Sequence, residues 1–145
     1  MSIGHEQIQG MIPHSGTMCL LDEVLDWDAA SVRCLSRRYR NAENPLRRPD
    51  GTLGTACGIE IAAQAMAVHG RLTAPEDGVP VPGYLVSLRD VRLASPLLDD
   101  TKGPLLIEAK LLMGDGSGAT YEFAVTSQGT PWLSGRATVL FGAEK

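Results

Sequence analysis

Apolar and polar positions alternate over several short stretches of this chain, and over one longer stretch they do not. Residues 18–27 (MCLLDEVLDW) are apolar first and alternate afterwards, a pattern that predicts a strand. Residues 31–39 (SVRCLSRRY) set Val32, Cys34 and Ser36 against Arg33, Leu35 and Arg37, which predicts a second strand paired with the first as a hairpin. Ahead of both, residues 1–11 suit one short helical turn with Ile3, Ile8 and Met11 facing inward. After them, residues 41–55 hold Pro45, Pro49, Gly51 and Gly54, too many breakers for regular structure. A loop of this kind is expected to be more mobile than its scaffold and to border a binding tunnel.

The period changes over residues 55–72 (TACGIEIAAQAMAVHGRL). Ile59, Ala62, Ala63, Met66 and Ala67 fall at i, i+3, i+4, i+7 and i+8, an apolar helical stripe. The remaining faces are also small or apolar, so the helix is expected to be buried nearly all round, with Pro75 and the loop to Pro82 ending it. Strand patterns follow at 83–95, at 105–113 with Glu108 and Lys110 outward, at 121–127 and at 132–141, with turn signals between them. Two strands, an alanine-rich helix and four more antiparallel strands make an α+β fold. The whole chain, 1–145, reads as one domain in which an antiparallel sheet wraps one long central helix. An apolar helix with so little chain to enclose it predicts a dimer, formed edge to edge with the two helices side by side.

Composition narrows the partners. The chain has 145 residues, 43% of them hydrophobic and 21% charged, and at this length a core needs no metal or disulfide staple. A net charge of −4 argues against nucleic acid. Arg33, Arg37, Arg38, Arg40, Arg47 and Arg48 form a basic cluster, read as a solvated strand and loop face open to an acidic partner. Cys19, Cys34 and Cys57 are odd in number, without a CxxC pair, and read as small apolar residues in a reducing compartment. No secretory pattern and no membrane-spanning run is present, so a cytoplasmic location is expected.

Candidate chemistry concentrates at the helix. Glu60 is a carboxylate in the first turns of an apolar, alanine-rich helix, where burial disfavours its charged form and fits it for proton transfer. The alternative is a glutamate that steadies the helix dipole. Gln64, one turn further on the same face, orients that carboxylate, positions a substrate, or is an amide satisfied by core backbone. Backbone N–H groups at Thr55, Ala56 and Cys57 are candidates to bind a substrate carbonyl oxygen. His14 is a candidate proton carrier or a loop-fixing hydrogen bonder. His69, on another helix face, reads as structural and His5 as solvated. Cys57 as a nucleophile is less expected than Cys57 as a packing residue, and no metal ligand cluster or other cofactor motif is present.

These residues carry a resemblance. Ile12-Pro13-His14 followed by MCLLDEV, and the Glu60-x-x-x-Gln64-Ala65 core of the helix, resemble the hot-dog-fold 3-hydroxyacyl-acyl-carrier-protein dehydratases. The Ile-Pro-His-x-Gly start and the Cys57-Gly58-Ile59-Glu60 run are most similar to the dehydratase-like group of aryl polyene biosynthesis clusters. The resemblance implies a hot-dog fold, acyl-carrier-protein or coenzyme A thioester substrates, Glu60 as acid/base, and His14 near the mouth of an acyl tunnel. It also marks a departure: the family's catalytic histidine lies in the loop before the helix, and here that loop (NPLRRPDGTLG) holds none. Three outcomes stay open: a dehydratase using His14 or a group from another subunit, a hot-dog thioesterase in which Glu60 activates water, and a non-catalytic subunit of a dehydratase hetero-oligomer.

Overall fold

The computed structural model describes residues 3–12, 16–74, 83–115 and 117–141. His14, the end of the helix-to-strand connection at 75–82 and the tip of the turn at 116 lie outside the described residues. Seven strands form one antiparallel sheet: β1 (Ile3–Gly4), β2 (Glu23–Trp27), β3 (Ser31–Ser36), β4 (Gly83–Leu93), β5 (Leu105–Asp115), β6 (Gly118–Ser127) and β7 (Thr130–Phe141). Their order across the sheet is β1-β2-β3-β5-β6-β7-β4. A short helix α1 (His5–Gln9) follows β1, and the long helix α2 (Gly58–Thr73) lies against β3, β5 and β6 on the inner face. The expected architecture is therefore present: an antiparallel hot-dog sheet around one central helix.

Period-two alternation places the core. Val32 and Cys34 on β3, Leu105 and Ile107 on β5, and Tyr121, Phe123 and Val125 on β6 all point inward and are buried. Arg33, Glu108, Lys110 and Glu122 take the outer positions of the same strands and, with Arg136 of β7, border a depression of about 600 Å³ on the outer face, away from α2. Gly58 lets α2 approach β7 closely, since a Cβ there would stand 2.7 Å from Leu133 Cδ2.

Four expectations need correction. Residues 18–22 are not strand: Met18 ends a 3₁₀ turn, and Cys19, Leu20 and Leu21 are buried in a connection that reaches β2 only at Glu23. The helical stripe is turned: Ile61, Ala62, Ala65, Val68 and His69 are buried, whereas Ala67 is exposed and Ile59 and Ala63 are half-buried. When every face is small or apolar, periodicity alone cannot choose the one that meets the sheet. His5 is not solvated, because its Nδ1 donates to the Leu21 carbonyl at 2.7 Å. The arginine cluster is no simple solvated face either. Arg38 pairs with Asp22 at 2.7 Å, Arg40 bonds Thr101, and Arg47 reaches Asp99 at 2.8 Å and the carbonyls of Arg40, Asn41 and Gly51. Arg47 thus pins the 41–55 loop to the turn after β4.

Candidate functional site

The site is built at the start of α2. Gly54 bridges to Leu97, and a 3₁₀ turn, Thr55–Cys57, leads directly into the helix. This turn commits most of the N–H groups expected there. Thr55 N–H goes to the Pro96 carbonyl at 2.9 Å and Cys57 N–H to the Gly54 carbonyl at 3.0 Å, so among the described residues only the exposed Ala56 of the three is left to offer its N–H to a ligand. The Thr55 side chain is buried, and its hydroxyl meets no hydrogen-bond partner among the described residues.

Glu60 stands in the first turn of α2 and is half-buried, on the side of the helix that includes exposed Ala56 and Ala67 and half-buried Ala63. Gln64, one turn on, is fully buried. Its Nε2 donates to the Met18 carbonyl at 2.8 Å and lies 3.4 Å from Glu60 Oε2, while its Oε1 accepts the Leu20 N–H at 2.9 Å. Glu60 and Gln64 are therefore together, as the spacing predicts, and the 18–20 segment joins them, which the sequence did not signal.

Cys57 gives no sign of activation. Burial pushes its thiol up, outweighing the opposing influence of Arg48. Burial likewise raises Cys19, and Cys34 to about 12. His69 is bonded away from Glu60. It is fully buried, its Nε2 donates to the Asp28 carbonyl at 2.9 Å, and its Nδ1 lies 2.7 Å from the Tyr121 hydroxyl. Among the described residues no three His, Cys, Asp or Glu side chains converge as metal ligands would, and no helix is long and apolar enough to cross a membrane.

A smaller depression of about 270 Å³ adjoins the 16–20 segment, lined by His5, Thr17, Leu20, Arg38, Asn41 and Asn44 among others. It brings the first part of the 41–55 loop against α1. The loop's later part runs into the helix start itself.

A family model described as ApeP dehydratase, ApeP-like, matches residues 6–144. The chain belongs to the ApeP-like dehydratase family. Among solved structures it is similar to the dehydratase heterocomplex ApeI:P from Xenorhabdus doucetiae, at 25% identity and a TM-score of 0.83, over 94% of this chain and 91% of that one. A mutant of the thioesterase PA1618 from Pseudomonas aeruginosa shares the fold at 13% identity and a TM-score of 0.67, covering 96% and 94% of the two chains. Thioesterase HI1161 from Haemophilus influenzae does so at 11% identity and 0.66, covering 96% and 90%. Comparison with curated protein sequences gives no significant match. Membership of the ApeP-like family makes dehydratase-like chemistry the frame for the Glu60 site; the two thioesterases share the fold alone.

Proposed function

We propose that this ApeP-like chain is the glutamate-bearing subunit of a cytoplasmic 3-hydroxyacyl-thioester dehydratase, acting on acyl chains carried by an acyl-carrier protein or coenzyme A. Dehydration removes a proton from C2 and the hydroxyl from C3 as water, leaving a 2-enoyl thioester. One group must take the first proton and another must give one to the departing hydroxyl; Glu60 is one member of that pair. The observation that carries this reading is the half-buried Glu60 at the start of the central helix, held beside a fully buried amide and one turn from the exposed Ala56, whose N–H suits a thioester oxygen.

The second member is not among the described histidines, since His5 serves Leu21 and His69 is closed into the core. A second hot-dog subunit supplies it. The edge strand β4 favours such docking: Leu85, Val86, Leu88, Val91 and Leu93 are 36–51% exposed on a strand whose outer side is unpaired among the described residues, an edge that invites continuation of the sheet. The heterocomplex to which the chain is similar supports a homologous dehydratase as that subunit.

The test is an assay of the purified chain, alone and with the homologue that co-purifies, on 3-hydroxyacyl thioesters, read for enoyl product and for free thiol. Enoyl product is expected from the mixture. Glu60→Gln should lower it ~100- to 10,000-fold, as loss of a positioned acid or base does, whereas His14→Ala should lower it only in part. Full activity of Glu60→Gln in the mixture would assign this chain a purely structural place, and release of free thiol without enoyl product would make it a thioesterase.

A further inference from the structure

We infer that Gln64 is a positioning residue which, together with Ser36, clamps the peptide of Leu20 and locks the 18–22 segment to Glu60; this rests on the reading of Glu60 as the proton-exchanging group. The Leu20 peptide is served on both sides by side chains from different elements. Its N–H donates to Gln64 Oε1 of α2 at 2.9 Å, and its carbonyl accepts the Ser36 hydroxyl of β3 at 2.6 Å. Gln64 and Ser36 are 0% exposed and Leu20 is 1% exposed, so each of these groups is bonded within the protein interior. A buried donor or acceptor left unmade is costly, which makes the arrangement self-enforcing.

The clamp also sets which end of the amide faces the carboxylate. With Oε1 held by the Leu20 N–H, Nε2 must face Met18 and Glu60. Turned over, it would oppose N–H to N–H at Leu20 and oxygen to oxygen at the Met18 carbonyl, 2.8 Å away. One N–H of Gln64 therefore serves Met18 and the other is available to Glu60 Oε2 at 3.4 Å. Both of its N–H groups and one oxygen lone pair are engaged by protein groups and the side chain is 0% exposed, so it orients rather than binds substrate. At Met18 and Leu20 the backbone groups that a strand ladder would use are taken by Gln64 and Ser36 instead.

The experiment compares Gln64→Met and Gln64→Glu with wild type in the mixture that forms enoyl product, with Glu60→Gln as the reference. Gln64→Met is expected to lower kcat on the order of 10- to 100-fold with little change in KM, the size of effect that a displaced catalytic group produces. Gln64→Glu keeps the acceptor for Leu20 and donates only when protonated, so its activity should be lost at pH 8 and partly recovered on acidification. Activity is read per folded molecule at each pH, because a merely structural amide would change the folded fraction with pH and leave kcat unchanged. Should Gln64→Met fold poorly, Ser36→Ala removes the other half of the clamp and is expected to lower kcat in the same sense. Hydrogen exchange supplies a readout independent of activity: the Leu20 amide should be protected in wild type and exchange faster in Gln64→Met, while amides later in α2 are unaffected. Wild-type kcat in a folded Gln64→Met, a change in KM alone, or unchanged protection at Leu20 overturns the clamp. Full activity in Glu60→Gln instead overturns the reading on which it rests.

Discussion

Helix α2 carries two polar side chains into the interior, Gln64 near its start and His69 one and a half turns later, and the two are used differently. Gln64 faces a half-buried carboxylate, and its bonds join the helix to a non-strand segment beside the site. His69 closes on Tyr121 of β6 and on the Asp28 carbonyl of the β2–β3 turn, with its ring edge-on to Tyr121 at 5.5 Å between centroids. A carbonyl can only accept, so Nε2 of His69 carries the proton, and in the neutral ring Nδ1 receives the Tyr121 hydroxyl. Both ring nitrogens are spoken for, and no accessible lone pair or proton is left for chemistry. The difference teaches that residue type is a poor guide to surroundings within one helix: the imidazole, usually the more reactive group, is closed into the core here, and the amide lies against the candidate carboxylate.

Paired variants would break this contrast or sharpen it. The largest effect is expected from Glu60→Gln, with activity lost ~100- to 10,000-fold and thermal unfolding nearly unchanged. His69→Leu should do the reverse, costing about 1–3 kcal/mol of unfolding free energy because Tyr121 and Asp28 lose their partner, with activity per folded molecule retained. A catalytic defect in His69→Leu larger than its loss of folded protein would end the distinction between the two ends of α2.

Tyr121→Phe tests the same network more gently. Removing the hydroxyl leaves Nδ1 of His69 unserved and should cost about 1 kcal/mol at neutral pH. Burial pushes the Tyr121 phenol up to about 12. The neutral form is thus favoured in the folded state, and its contribution is fully present below the ordinary tyrosine value of ~10 and lost as pH rises through 12. Denaturant titrations across that window should show wild type losing stability more steeply than Tyr121→Phe.

The smallest effect is expected at Asp22, where the 18–22 segment meets β3. Burial acts to raise its carboxyl, but the Arg37 and Arg38 amides and the Arg38 guanidinium prevail and hold it below its usual value. Its contribution is present above ~4 and is lost as pH falls through the depressed value. Asp22→Asn should cost about 1 kcal/mol or less at neutral pH, as partly exposed ion pairs do, and should flatten the acid limb of stability. An unchanged acid limb would place the acid sensitivity elsewhere.

Much of the molecule was legible in the residue pattern. Alternation located the strands because one face of each must be apolar, and the alanine-rich stretch marked the central helix because a sheet can close only on small side chains. The juxtaposition of Glu60 and Gln64 followed from a four-residue spacing, which helix geometry alone enforces. Other features had no signature in one dimension. The face of α2 that meets the sheet was decided by packing, since nearly every face was apolar enough to serve. The bonding of the Leu20 peptide, where the expected strand fails, falls to Gln64 and Ser36, which lie 44 and 16 positions away in the chain. The loss of two of the three N–H groups at the helix start came from Pro96 and Gly54, through a 3₁₀ turn that periodicity does not distinguish from the helix it precedes. Local geometry follows from spacing along the chain; the satisfaction of buried polar groups depends on partners far away in sequence, and only the folded arrangement decides which partners those are.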